Sequence, residues 1–317
     1  MLEDMNQNRK TIETVLIWAV KIGLWMIPLL PFYIASSMLF PFITGKNFVF
    51  RIIIELAVPL WAALAIMRPE FRPRLTGLVK VITLLVAVLF LADWFGPNPY
   101  RSFFSNYERM EGFISFAHLY LYFLMLVSVF RIRRDWLIFF HVSIAASIAV
   151  SYIGLLQRLG LRVSPQGGFR VDSTIGNPTY LAAYLLFHVW LFALLMKHFW
   201  PKRPGEMKKW ILEIVYATIL IFELAIIYFT ATRGVVLALL VTAIPFFAVV
   251  VLYWNRMFGS HRSWVRSSDE KVTVSKVEGW SLGRKLAGIG LVMVIVVPLV
   301  FWLSRNSKFV QQSPTLN

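Results

Sequence analysis

The chain has 317 residues, of which 58% are hydrophobic and only 15% charged, with a mean hydropathy of +0.68; a soluble domain carries about 25% charged residues. So much apolar composition excludes a soluble Rossmann enzyme, a secreted disulfide scaffold, a coiled coil or a disordered tail, and predicts an all-α, polytopic membrane protein. The absence of cysteine excludes disulfides, thiolate nucleophiles and cysteine-ligated zinc, and the net charge of +16 must be located before it is interpreted.

In chain order, nine apolar windows predict about nine transmembrane helices: 15–39, 48–67, 78–95, 113–130, 136–157, 178–199, 210–229, 235–254 and 286–303. Each approaches the roughly 20 residues that cross a hydrocarbon core, where backbone N–H groups must be paired within their own segment. The first window follows Glu3, Asp4 and Glu13 and contains Pro28 and Pro31, which marks an uncleaved span rather than a signal peptide. With the N-terminus inside, 21 of the 32 Lys and Arg residues fall on the cytoplasmic side, including Arg68, Arg72, Arg74, Arg131, Arg133 and Arg134. That bias predicts N-in and C-out, and it makes the positive charge a topology signal and a contact for membrane lipids, with no nucleic-acid partner. One integral membrane domain over 1–317 is expected, with 255–285 as a cytoplasmic polar loop and 304–317 as an outer tail.

Three outer stretches then hold the candidate chemistry. In WFGPNPYRSFFSNYERMEG (94–112), the Gly and Pro residues mark a loop, and Arg109 and Glu111 charge it. In RLGLRVSPQGGFRVDSTIGNP (158–178), Pro178 suits the first position of a helix and Asn177 its cap. Such a helix end attracts phosphate oxygens, with Arg170 adding a bidentate contact, although Gly-Asn-Pro also simply starts a helix well, and both readings stay open. In the turn TATRG (230–234), Thr230 and Thr232 are able to cap, while Arg233 opens a helix, where the macrodipole disfavours a cation unless an anion shares the site. An arginine reaching into headgroups is the alternative there.

Within the windows, Glu55 follows Arg51 by four residues, which predicts a local ion pair. Glu223 lies about 10 Å below the outer end of its helix and should face the bundle, be paired or be protonated. The five histidines lack zinc-ligand spacing, so no metal and no cofactor are expected, and no GxSxG context supports Ser/His/Asp catalysis.

The run FRVDSTIGNPTYLAAYLL resembles the GNP segment of the O-antigen ligase-like superfamily, which comprises O-antigen ligases, O-antigen polymerases and protein O-oligosaccharyltransferases. TATRGVVLALL is similar to its SRG segment and SFFSNYERMEGF to a third loop, in the same order and on the same side. The resemblance covers roughly 94–303. It implies inverting, metal-independent transfer of a glycan from undecaprenyl diphosphate to an acceptor hydroxyl, on the periplasmic face of a bacterial inner membrane. The acceptor class would be lipid A core, a growing polysaccharide or a protein.

The resemblance assigns Arg170 and Arg233 to the diphosphate, the two positions that the physical reading reaches independently, with Arg109 as a supporting contact. Asn177, Thr232 and Glu223 complete the expected substrate-binding set, with Glu111 and Asp172 as carboxylates toward the acceptor. Family members continue into a large outer loop bearing a catalytic histidine. The chain ends at Asn317, where that loop would open, so a missing C-terminal part and slow transfer are expected. The alternatives are a transporter of the same superfamily, linked to inorganic carbon, and a non-catalytic remnant that binds lipid-linked glycan.

Overall fold

The computed structural model describes residues 2–164, 170–200, 207–258 and 282–304, and all regular structure among them is helical. Most of the expected loop 255–285 and tail 304–317, together with Gly167 and Gly168, lies outside the described residues. Seven helical segments are long and apolar enough to cross a membrane, as in an integral membrane protein. The chain divides into two compact units, Met1–Leu181 and Ala182–Asn317.

The first unit contains α1 (Leu2–Met26), α2 (Thr44–Met67), α3 (Gly77–Trp94), a short α4 (Pro99–Phe104), α5 (Phe113–Val129), α6 (Arg133–Arg158) and the first turn of α7 (Pro178–Phe199). Helix α5, at 17 residues, is apolar but falls short of the other spans. The first window departs from expectation. Its helix starts earlier, tightens into a 3-10 segment at Ile27–Phe32 and stops there instead of reaching Leu39. Pro28 and Pro31 lack the N–H that would continue the ladder. Residues 33–43 fold back as turns, with the Ala35 N–H donating to the Pro41 carbonyl at 3.1 Å.

The core of this unit is a set of i,i+4 stripes: Val20 and Leu24 on α1 face Met125 and Val129 on α5, with Ile54 and Leu64 of α2 in the same cluster. Between helices in lipid, burying such side chains gains little hydrophobic energy, because acyl chains are as apolar as leucine, so close packing and polar clasps must hold the helices together. One clasp joins α1 to α6, where Lys21 pairs with buried Asp135 at 2.8 Å and the Trp25 indole donates to the Asp135 carbonyl at 3.2 Å. The expected Arg51–Glu55 pair is replaced by two longer-range contacts. Arg51 turns to the loop before α5, and Glu55 meets His118 at 3.1 Å, because α5 packs directly on α2 and offers both partners.

At the N-terminal end of α1 the arginines are neutralised by carboxylates. Glu13 accepts from Arg9 at 3.1 Å and from Arg68 at 2.8 Å, Arg68 also meets Glu70 at 2.6 Å, and Arg131 donates to the Glu70 carbonyl. The hydrogen bonds to Glu13 and then Glu70 raise the Arg68 pKa above its ordinary value.

The second unit comprises the rest of α7, α8 (Met207–Phe229), α9 (Arg233–Phe258) and α10 (Leu282–Ser304). Its main packing is α9 against α10, where a Cβ at Gly283 would overlap the Trp254 ring and one at Gly290 would press on Phe247. Tyr253 interrupts the helical geometry of α9, and the Arg284 Nε donates to the Val251 carbonyl near that break at 2.9 Å.

Candidate functional site

Three chain segments of the first unit meet at the opposite end from the arginine–carboxylate network. They are residues 33–46 between α1 and α2, residues 105–112 before α5, and residues 170–177 before α7. Between them lies a cavity of about 290 Å³, walled by residues 39–43 on one side and by Ile175, Gly176, Asn177 and Tyr180 on the other, with Arg109 contributing a cation. The structure thus brings together two residues singled out by sequence, Arg109 and Asn177.

Each wall is held in a costly backbone shape. Arg109 sits between two left-handed residues, Glu108 at φ 69° and Met110 at φ 50°, and Ser105 just before them is at φ 59°. Each such non-glycine residue costs of order 1–3 kcal/mol and persists only where its surroundings impose it. Here the surroundings are two side chains. The Leu39 N–H donates to Glu108 Oε1 at 2.7 Å, tying this loop to the α1–α2 segment, and buried Arg51 donates to the Met110 carbonyl and, at 2.7 Å, to Ser115 Oγ. So constrained, the Arg109 guanidinium lies 4.7 Å from the Phe40 ring centroid, and its Nε is buried without a hydrogen-bond partner.

The facing wall is similarly fastened. Asp172 is fully buried; its Oδ1 accepts from Gln157 at 2.9 Å and its Oδ2 from Ser164 at 2.9 Å. The Ser173 N–H donates to Gln157 Oε1 at 2.7 Å, and Ser173 takes φ 52°. Asp172 therefore anchors the loop to α6 from within, with both carboxylate oxygens engaged by protein donors. Gly176 has φ 76°, and a Cβ there would overlap the Phe42 ring, so both the turn and the close approach require glycine.

Asn177 and Pro178 start α7 as anticipated. Asn177 Oδ1 accepts from the N–H groups of Thr179 at 2.8 Å and Tyr180 at 3.4 Å, while the Leu181 N–H goes to the Asn177 carbonyl at 2.9 Å. The Asn177 side chain thus takes up the N–H groups of the first turn of α7, which is what either sequence reading expects of the cap.

Other expected site residues are more dispersed. Glu111 is exposed on the loop that carries Arg109, and Arg170 is half-buried at the start of its segment, outside the cavity lining. In the second unit, Thr230 donates to the Ile227 carbonyl at 2.6 Å, which closes α8, and its hydroxyl stands 3.1 Å from that of Thr232. Arg233 is the first residue of α9 and exposed, Thr232 is buried, and Glu223 is fully buried in the helix bundle. Among the described residues, no group of three His, Asp or Glu side chains is arranged to hold a metal ion.

Sequence reasoning missed Lys46 and the whole wall formed by 39–43. Lys46 Nζ donates to the Thr174 carbonyl at 2.6 Å and lies 5.8 Å from the Phe42 ring centroid, joining the two walls from behind. The available signal was a cluster of helix breakers, Pro28, Pro31 and Pro41, at the end of an apolar window. Compared with known proteins, the chain matches no family model, no curated protein and no solved structure.

Proposed function

We propose that the chain is a glycan transferase of the O-antigen ligase type. It would lie in a bacterial inner membrane with about nine spans, N-terminus inside, and the cavity end facing the periplasm. The observation that carries the reading is the convergence of two of the three family-like loops on one cavity: Arg109 comes from one and Gly176–Asn177 from the other. The acceptor hydroxyl oxygen attacks the anomeric carbon, the bond from that carbon to the diphosphate oxygen breaks, and configuration inverts. In the first unit, Arg170 stabilises charge as it develops on the departing diphosphate, and Arg233 of the second unit is the other cation that the resemblance assigns to it. Arg109 adds a third cation, and Glu111, exposed on the same loop, takes the hydroxyl proton.

The test is transfer from purified undecaprenyl-diphosphate-linked glycan to lipid A core, polysaccharide and serine peptide acceptors, using protein reconstituted in liposomes. Transfer that survives chelation and falls by about 10²-fold or more in Arg170→Gln and Arg233→Gln is expected, the range for removal of a preorganised charge-stabilising donor. No transfer to any of the three acceptors overturns the reading.

A second reading, transport, draws on buried carboxylates of the second unit. Glu213 is 4% exposed with both carboxylate oxygens lacking a hydrogen-bond partner, and Glu223 is fully buried on the same helix. Intramembrane ionisable groups mark ion paths by default. Proton-coupled bicarbonate uptake into protein-loaded liposomes that Glu213→Gln abolishes would favour it.

A further inference from the structure

We infer that Glu55 and His118 form a proton-binding site on the membrane-spanning flank of the first unit, and that the proton held there controls the loop carrying Arg109. Neither part depends on the transferase reading. Glu55 sits near the middle of α2, about 17 Å from either end at 1.5 Å per residue. Its side chain is 64% exposed, with exposed Ile52 and Leu56 on the same flank, and so faces hydrocarbon. A carboxylate there is costly unless it is paired or carries a proton. His118 of α5, largely covered, supplies the pair, its Nε2 standing 3.1 Å from Glu55 Oε1. The other ring nitrogen fixes what lies between them. Nδ1 stands 2.7 Å from the Ile114 carbonyl, which only accepts, so Nδ1 carries a hydrogen. In a neutral imidazole Nε2 is then a bare acceptor turned on an acceptor. A hydrogen bond at that contact requires one more proton, either on Nε2, giving imidazolium and carboxylate, or on Oε1, giving neutral imidazole and acid. In both distributions the pair is neutral overall, and loss of the proton leaves one negative charge among apolar side chains.

Arg51 is the first group to feel that charge. It lies one turn before Glu55 on α2, and both Glu55 and Glu111 act on it through space. Its guanidinium straps the loop before α5, donating to the Met110 carbonyl and, at 2.7 Å, to Ser115 Oγ. Four residues apart on one helix is the spacing at which an arginine and a carboxylate meet, yet Arg51 bypasses Glu55 while His118 engages it. Removing the proton sets an unneutralised carboxylate against two neutral acceptors for the same guanidinium, and in a poorly screened setting the charged acceptor prevails. Arg51 then leaves the strap. Residues 105–112, with Ser105, Glu108 and Met110 in left-handed conformations, thereby lose a support that imposes this shape. The other titratable groups on the packed helices are committed or remote. Lys21 of α1 is paired with Asp135, Arg9, Glu13, Arg68 and Glu70 pair among themselves, and Lys46 is bonded to the Thr174 carbonyl. Lys80, Asp93 and Arg101 lie in end turns of α3 and α4. On α5 itself, Tyr122 packs on Phe50 and Tyr120 shares a hydrogen bond with Thr83.

The experiment uses the full chain in nanodiscs of phosphatidylcholine, taken from about pH 5 to about pH 8, the range in which histidine changes charge. Nuclear magnetic resonance on isotope-labelled histidine follows the ring nitrogens, with His118→Gln assigning the signals of His118, and amide hydrogen exchange read by mass spectrometry follows the loop. At the acid end Nε2 of His118 should report a bound or shared proton, and at the alkaline end it should be bare. Exchange across 105–112, corrected for its intrinsic pH dependence, should become about tenfold faster at the alkaline end, as for loss of a hydrogen bond from a charged group. Glu55→Gln keeps a hydrogen-bonding side chain that never becomes an anion and should hold the slow rate throughout, while Arg68→Gln should leave the wild-type response intact. A bare Nε2 at the acid end, a proton retained over the whole range, or loop exchange indifferent to its loss would overturn the inference. So would a pH response that survives Glu55→Gln with the helical circular dichroism unchanged. If Glu55→Gln does not fold, the wild-type titrations of His118 and of the loop decide. Neither readout uses glycan transfer, so failure of the transferase reading and failure of this site are told apart.

Discussion

The two ends of the first unit use the same residue type in opposite ways. At the end near Arg68, arginines meet carboxylates: exposed Arg9 and half-exposed Arg68 share buried Glu13, and Arg68 reaches exposed Glu70. At the cavity end, Arg51 and Lys46 go to backbone carbonyls, and Arg109 goes to an aromatic ring. In the first arrangement charge is cancelled by opposite charge, and water reaches the arginine side of every pair. In the second, the cations rest on carbonyls and a ring, with Glu55 and Glu111 acting on Arg51 through space and not as paired partners. Counting basic residues cannot distinguish the two; their partners can.

Breaking the cavity end should have the larger effects. Gly176→Ala combines a left-handed φ with overlap on Phe42 and should destabilise by about 2–4 kcal/mol, as strained or overpacked sites do. Thermal unfolding in detergent measures it. Adding Phe42→Ala should recover part of the loss, and a double variant no better than the single one would show that overlap is not the cause.

Arg51→Met should cost about 1–3 kcal/mol, because it leaves Ser115 Oγ without its donor and the Met110 carbonyl with only the Ser115 hydroxyl at 3.1 Å. It should also free the Arg109 loop, seen as faster amide hydrogen exchange across 105–112. Wild-type exchange in that segment would refute the role of Arg51 as its strap.

Asn177→Ala removes the acceptor for two N–H groups of α7 and should cost about 1 kcal/mol, the usual value of an N-cap. Asn177→Asp keeps the acceptor and should retain wild-type stability. If Asp is as damaging as Ala, the cap is not what Asn177 supplies.

The smallest effect sharpens the contrast from the other end. Arg68→Met removes two ion pairs, yet buried Glu13 keeps Arg9 as a partner and the Glu70 pair is screened, so at physiological salt the melting temperature should fall by less than in any variant above. A loss comparable to that of Arg51→Met would erase the distinction between the two ends.

What local sequence determined was whatever follows from short-range rules. Apolar length marked the helices, Pro178 after Asn177 marked the start of α7, and the TATRG turn separated α8 from α9. These depend on φ restriction, missing N–H groups and lengths of apolar chain, all local properties. Only the tertiary structure decided which partner each polar group takes. Arg51 bypassed Glu55, four residues away, for Met110 and Ser115; Glu108 found Leu39; and Lys46 found Thr174. Asp172 looked like an outward carboxylate until Gln157 and Ser164 enclosed it. The physical reason is that a buried polar group must be satisfied by whatever the packing of other helices brings within about 3 Å, and that proximity is a property of the fold, absent from the sequence neighbourhood of any one residue.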